Sequence, residues 1–191
     1  MDRIMGALTF RKGVYTEVEN DPSFTPTAWA IVFVSAFLSQ LGANSADGSL
    51  DIVAALVGAV FATITFAAFA WIIAFAGKTL FQADVSFSEM VRATGLAYVW
   101  NAVGVLGLLA LIGDALACVA APIVFVGAIL WIVSTLMATR EALDLDWGRS
   151  LVVVLIAVVV YVIIAFIFGL IAAAIGLGVS LLGGAAGAVT P

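Results

Sequence analysis

Apolar residues run along this chain in long blocks separated by short polar breaks. The blocks lack the strict alternation of half-buried strands, and they are too long for core strands. An α-helix needs about 20 apolar residues to cross the roughly 30 Å of hydrocarbon in a bilayer. Five blocks meet or approach that length and predict spans at about 27–44, 51–77, 92–112, 115–138 and 149–171. Lipid supplies no partners for backbone N–H and C=O groups, so only helices or a closed barrel cross it. Without alternation, helices are the expected solution. The fold class is therefore all-α: a polytopic transmembrane helical bundle of five spans.

The polar breaks carry the start and stop signals. Residues 1–24 read as an amphipathic arm, a short helix lying on the membrane surface. Ile4, Leu8, Tyr15 and Val18 fall on one face, leaving Arg3, Arg11, Lys12, Glu17 and Glu19 for the wet side. Asp21-Pro22-Ser23 should break it, and Thr25-Pro26 should start the first span as N-cap and first helical residue. Trp29 is expected in the near aromatic belt, with Gln40 and Asn44 at the far interface. Asn44–Asp51 reads as a turn.

In the second span, Gly58 and Ala62 form a small-residue row, and Thr63 and Thr65 should bond to the preceding turn. Ser86 and Glu89 have the spacing of a capping box, with Val85 and Met90 placed as its hydrophobic staple. Asp114 and Asp146 are expected to cap the fourth and fifth spans, and Pro122 to kink the fourth. After Gly169 the sequence turns small and glycine-rich. It either prolongs the fifth helix or bends back, so the five-span domain is set at 25–182 and a tail at 183–191.

Composition agrees: 65% of the 191 residues are hydrophobic and 10% charged, against about 25% charged in soluble domains. Charge placement then adds an orientation. The seven bases are Arg3, Arg11, Lys12, Lys78, Arg92, Arg140 and Arg149, and five spans put all of them on one face. The positive-inside rule makes that face cytoplasmic, with the N-terminus in and the C-terminus out. The net charge of −5 does not oppose this, because the rule counts bases.

Candidate chemistry is sparse. The chain has no histidine and one cysteine, Cys118, so the commonest metal ligand and acid–base side chain is missing. No span carries an acid or base at its centre, where such residues usually mark ion or proton paths. No nucleotide loop, zinc motif or nucleophile elbow is present. The expectation is a non-enzymatic protein without cofactor, metal or nucleic acid. Asn101 is the candidate intramembrane polar contact. Arg140, Glu141, Asp144, Asp146 and Arg149 form the candidate partner-binding loop, and its two arginines suit lipid phosphates. Membrane lipids, a cytosolic or membrane protein, or further copies of the chain are the partners this pattern allows.

Three stretches also carry a resemblance. Trp131 leads to Arg140-Glu141-Ala142-Leu143 and then Asp146-Trp147-Gly148-Arg149-Ser150; Val14–Ser23 forms an acidic turn before the first span; Ser86–Leu96 opens the third. In this order and spacing they resemble the Yip domain family, in its prokaryotic form. The resemblance implies five transmembrane helices, a cytosolic N-terminus, an extracytosolic C-terminus and a multi-pass protein of a prokaryotic plasma membrane. Eukaryotic relatives are implicated in vesicle traffic and contact small Rab-type GTPases. Their Asp-Leu-Tyr-Gly-Pro motif before the first span is absent here, and no catalytic residue is implied.

The leading expectation is a membrane scaffold, adaptor or organiser of membrane shape. The alternative is a small channel or transporter component for an uncharged solute. Asn101, Thr63, Thr65, Ser134 and Thr135 would have to line its path.

Overall fold

The computed structural model describes residues 2–45 and 49–187, with backbone only at 165, 168, 169 and from 171 onward. Among the described residues every regular element is helical. α1 (Asp2–Leu8) and α2 (Val14–Glu19) form the arm, and a 3₁₀ turn at Pro22–Phe24 leads into α3 (Thr25–Ala43). Then come α4 (Ile52–Phe81), α5 (Phe87–Ala97), a 3₁₀ helix at Tyr98–Leu111, α6 (Asp114–Ala142) and α7 (Trp147–Gly187). Five of these stretches are long and apolar enough to cross a membrane: Pro22–Ala43, Ile52–Phe81, Phe87–Leu111, Asp114–Ala142 and Trp147–Ile164.

The outside of the bundle is as greasy as its inside. Val53, Ile64 and Phe75 on α4, Val119 and Phe125 on α6, and Leu155, Val159 and Phe166 on α7 are all exposed. Soluble monomers rarely expose contiguous apolar surface beyond a few hundred Å². This belt takes in three long helices, so hydrocarbon is its proper solvent.

At the centre each of the five spans contributes an aromatic ring. Trp29 of α3 meets Phe66 of α4 edge-on at 5.8 Å, and Phe66 meets Tyr98 of the 3₁₀ helix at 5.3 Å. Tyr98 meets Trp131 of α6 at 6.1 Å, and Trp131 meets Tyr161 of α7 at 6.5 Å. Phe69 of α4 touches both Trp131 and Tyr161. Such pairs contribute about 0.5–1.5 kcal/mol each beyond the area they bury. Trp29, half-buried near the start of its span, thus packs its ring against Phe66.

The third span changes its winding halfway. Runs of 3₁₀ helix beyond three or four residues are uncommon, yet here the form persists from Tyr98 to Leu111. Its period of three residues per turn puts Tyr98, Asn101, Gly104, Gly107 and Ala110 in one row. Its two glycines meet α3 backbone to backbone. A Cβ on Gly104 would stand 2.9 Å from the Cα of Ser39, one on Gly107 would stand 2.6 Å from the Gly42 carbonyl oxygen, and one on Gly42 would collide with the Gly104 carbonyl. Only residues without Cβ permit this approach.

Helix starts differ in part from expectation. The capping box at Ser86 and Glu89 is complete, and Val85 and Met90 are both buried. Asp146 accepts from the Arg149 N–H at 2.9 Å at the head of α7. Thr25, however, is already helical: Asp21 caps the preceding 3₁₀ turn through the Ser23 N–H, with Pro22 at its first position. The sequence Asp21-Pro22-Ser23 therefore starts the span that Thr25 was expected to start. Asp114 likewise lies inside α6, after an uncapped Gly113. Pro122 lies inside α6 without ending it. Thr63 and Thr65 bond the carbonyls of Ala59 and Phe61 at 2.8 Å. The glycine-rich tail continues α7 to Gly187; 188–191, and 46–48 of the Asn44–Asp51 turn, lie outside the described residues.

Candidate functional site

The basic residues gather at one end of the bundle, and the arm is folded onto that end. The arm is not one helix on a lipid surface. Phe10 and Gly13 both take positive φ, 53° and 81°, and divide it into α1 and α2. Val14, Tyr15 and Val18 are then fully buried against the bundle. Tyr15 reaches Ser134, two turns inside α6, and the two hydroxyls share a short hydrogen bond. Burial pushes the Tyr15 phenol up to about 12, the Ser134 bond opposing the shift. Phe10 stacks on Trp100 at 5.8 Å.

α2 has six residues, too few to be stable alone. Its sequence also offers no Ser, Thr, Asp or Asn at the N-cap, which is Gly13. The bundle supplies what is missing at both ends. Glu141, in the last turn of α6, accepts from the N–H groups of Gly13 at 3.1 Å, Tyr15 at 3.2 Å and Thr16 at 3.4 Å. Arg92 of α5 donates Nε to the carbonyls of Val18 at 3.1 Å and Glu19 at 2.9 Å, and Nη2 to the latter. Its Nη1 reaches Ser88 at 2.9 Å and Thr25 at 3.3 Å. A carboxylate thus meets the positive end of α2 and a guanidinium its negative end, the arrangement a helix dipole favours. Arg92 is 5% exposed. Its burial is tolerable because all its nitrogens have acceptors.

Glu19 follows directly on that clamp. Burial pushes its carboxyl up to about 7, helped by the negative charges of Asp144 and Glu89 and opposed by Arg92.

The structure divides the predicted loop by task. Glu141 holds α2, and Arg140 lies over the Trp147 ring at 4.7 Å. Arg149 pairs with Asp146 at 3.3 Å and lies over Phe81 of α4 at 5.8 Å. Asp144 is exposed, in a left-handed conformation with φ 49°. Lys12, Gly13, Thr16, Arg140, Glu141, Asp144 and Leu145 enclose a hollow of about 300 Å³ between arm and loop. Asn101 is not brought to these residues. It donates to the carbonyl of Tyr98, three residues back, at 3.4 Å.

Sequence reasoning missed Arg92, which it used only as a marker of topology, and the inward role of Tyr15. The missing cap before Val14 was a usable signal, since an uncapped six-residue helix must borrow partners from elsewhere.

Five apolar helices around an aromatic centre, with a charged end closed by its own N-terminal arm, define a polytopic α-helical membrane protein. The model of the Yip1 domain matches residues 5–170, and the chain belongs to that family. No curated protein and no solved structure gave a significant match. The matched region begins inside α1 and runs into α7, so it includes α2, both residues that clamp it and all five rings of the aromatic chain.

Proposed function

We propose that this chain is a non-enzymatic scaffold or adaptor whose working surface is the charged end: the docked arm, the turn between α6 and α7, and the start of α5. The supporting observation is the clamp of Glu141 and Arg92 on α2, which fixes a folded polar surface on an otherwise lipid-facing bundle. The gathering of the bases there supports a cytosolic position for this end in a cell membrane of prokaryotic type. Four of the five polar residues that a solute path would need are engaged within the protein: Thr63 and Thr65 bond within α4, Ser134 is taken by Tyr15, and Asn101 bonds its own helix. Thr135 is buried with its hydroxyl unpaired, and one such group does not make a path.

The test is a photoreactive residue placed at exposed Trp147 or Asp144 in native membranes. The reading expects crosslinks to one or a few discrete proteins, absent when the label sits at Phe125 on the lipid-facing side of α6. Crosslinks to lipid alone from all three positions would end it. Membrane-impermeant labelling of tags at the two chain ends checks the orientation, with only the C-terminal tag expected to react from outside.

A further inference from the structure

The bases of the charged end are not equivalent. Arg3 pairs with Asp21 at 2.6 Å, Arg11 with Glu17 at 2.6 Å and Arg149 with Asp146 at 3.3 Å. Arg92 is spent on backbone carbonyls and hydroxyls. Among the described residues this leaves Lys12, Lys78 and Arg140 without an anionic partner. Lys12 and Arg140 are 128 positions apart in sequence, yet they line the same hollow of about 300 Å³. Small-molecule sites begin at about this volume.

Arg140 is also held in place. The Trp147 ring lies 4.7 Å from its guanidinium carbon, and its Nε is buried with no hydrogen-bond partner. A guanidinium held by a ring at the wall of a hollow, with no anionic partner, fits an acceptor that comes from outside the chain. Two carboxylates share the wall. Glu141 is occupied by the N–H groups of α2, and Asp144 is exposed. Arg140 lies in the last turn of a candidate span and Trp147 begins the next, so the hollow sits at the level of a lipid–water boundary.

We infer that Lys12 and Arg140 form a binding site for the phosphate group of an anionic ligand. The arginine supplies a planar donor fork and the lysine a mobile point charge, a pairing suited to phosphate oxygens. The phosphate can come from an anionic phospholipid of the surrounding leaflet or from a soluble phosphate. The site is independent of the adaptor reading: absent protein crosslinks leave it standing, and loss of phosphate binding leaves the adaptor surface standing.

The experiment uses the full chain in mixed micelles, with lipid adducts counted by native mass spectrometry during titration with phosphatidylglycerol or phosphatidylcholine. The native chain should retain phosphatidylglycerol at least tenfold more tightly than phosphatidylcholine. The combined change Lys12→Gln and Arg140→Gln should abolish that preference, and Lys78→Gln, which removes the same kind of charge outside the hollow, should leave it intact. Lys12→Gln alone, at an exposed residue, should weaken retention several-fold without lowering the unfolding temperature. Inorganic phosphate that displaces the lipid identifies a site open to soluble phosphate; failure to displace it identifies a lipid site. Equal loss in the Lys78 variant, or full retention in the double variant, would overturn the assignment.

Discussion

Glu141→Gln tests the clamp on α2 by removing a charge while keeping the side chain's length. The two carboxylate oxygens of Glu141 accept three backbone N–H bonds at 3.1, 3.2 and 3.4 Å. A glutamine has one acceptor oxygen, so its NH₂ must oppose at least one of those N–H groups. Hydrogen bonds to a charged partner contribute about 1.5–3 kcal/mol, against about 0.5–1.5 kcal/mol for neutral ones. The lost charge at the helix N-terminus adds about 0.3–1 kcal/mol. The three bonds share one side chain and one of them is long, so they do not sum. A loss of about 1.5–3 kcal/mol from arm docking is expected, and at tenfold per 1.4 kcal/mol α2 should open about 10–100 times more often.

Buried Val14, Tyr15 and Val18 still favour the docked state, so the arm opens more often without leaving permanently. Amide hydrogen exchange on the full chain in lipid nanodiscs reads this directly. Peptides covering residues 13–19 should exchange faster by that factor, while those of α4 stay unchanged. Asp84→Asn, at an exposed residue between α4 and α5, should exchange like the native chain. Unchanged exchange over 13–19 in Glu141→Gln, or an equal rise throughout the bundle, would refute the clamp.

Three further outcomes are expected. Tyr15→Phe and Ser134→Ala should each lower thermal stability in detergent, and their double-mutant cycle should return a coupling of about 1 kcal/mol, the net worth of one buried hydrogen bond. Docking of the arm should weaken as pH rises: the folded carboxyl of Glu19 stands near 7, above its ordinary 4.5, so the docked state binds the extra proton between those values. Exchange over 13–19 should therefore be slower at pH 5 than at pH 8 after correction for intrinsic rates, and Glu19→Gln should flatten that difference. Gly42→Ala would drive a methyl group into the Gly104 carbonyl and should cost at least the roughly 1–3 kcal/mol of ordinary overpacking, seen as a lower unfolding temperature.

The spans were legible because their signal is long and one-dimensional. Twenty apolar residues between polar breaks predict a helix without knowledge of its neighbours, and the Ser86–Glu89 box is a local pairing that any helix start makes alike. The site was less legible because its bonds join distant positions. Glu141 meets Gly13 across 128 residues, and Arg92 meets Val18 across 74. Nothing local marks Arg92 as buried, since a base at a span boundary normally faces water. The packing of Trp29 was hidden for a related reason: nothing near it in the sequence marks Phe66, 37 positions on, as its partner. The arm was read by helical period alone, while its division into α1 and α2 depends on the backbone turn at Phe10 and Gly13.

The tight winding of Tyr98–Leu111 is also a reserve of length. At about 2.0 Å per residue its 14 residues reach roughly 28 Å, where an α-helix at 1.5 Å would reach about 21 Å. Rewinding would shorten the rod by about 7 Å and swing Gly104 and Gly107 out of line with Ser39 and Gly42. A thinner bilayer that favours the shorter rod would thus pull against the seam with α3, coupling the thickness of the surrounding lipid to the grip between two helices.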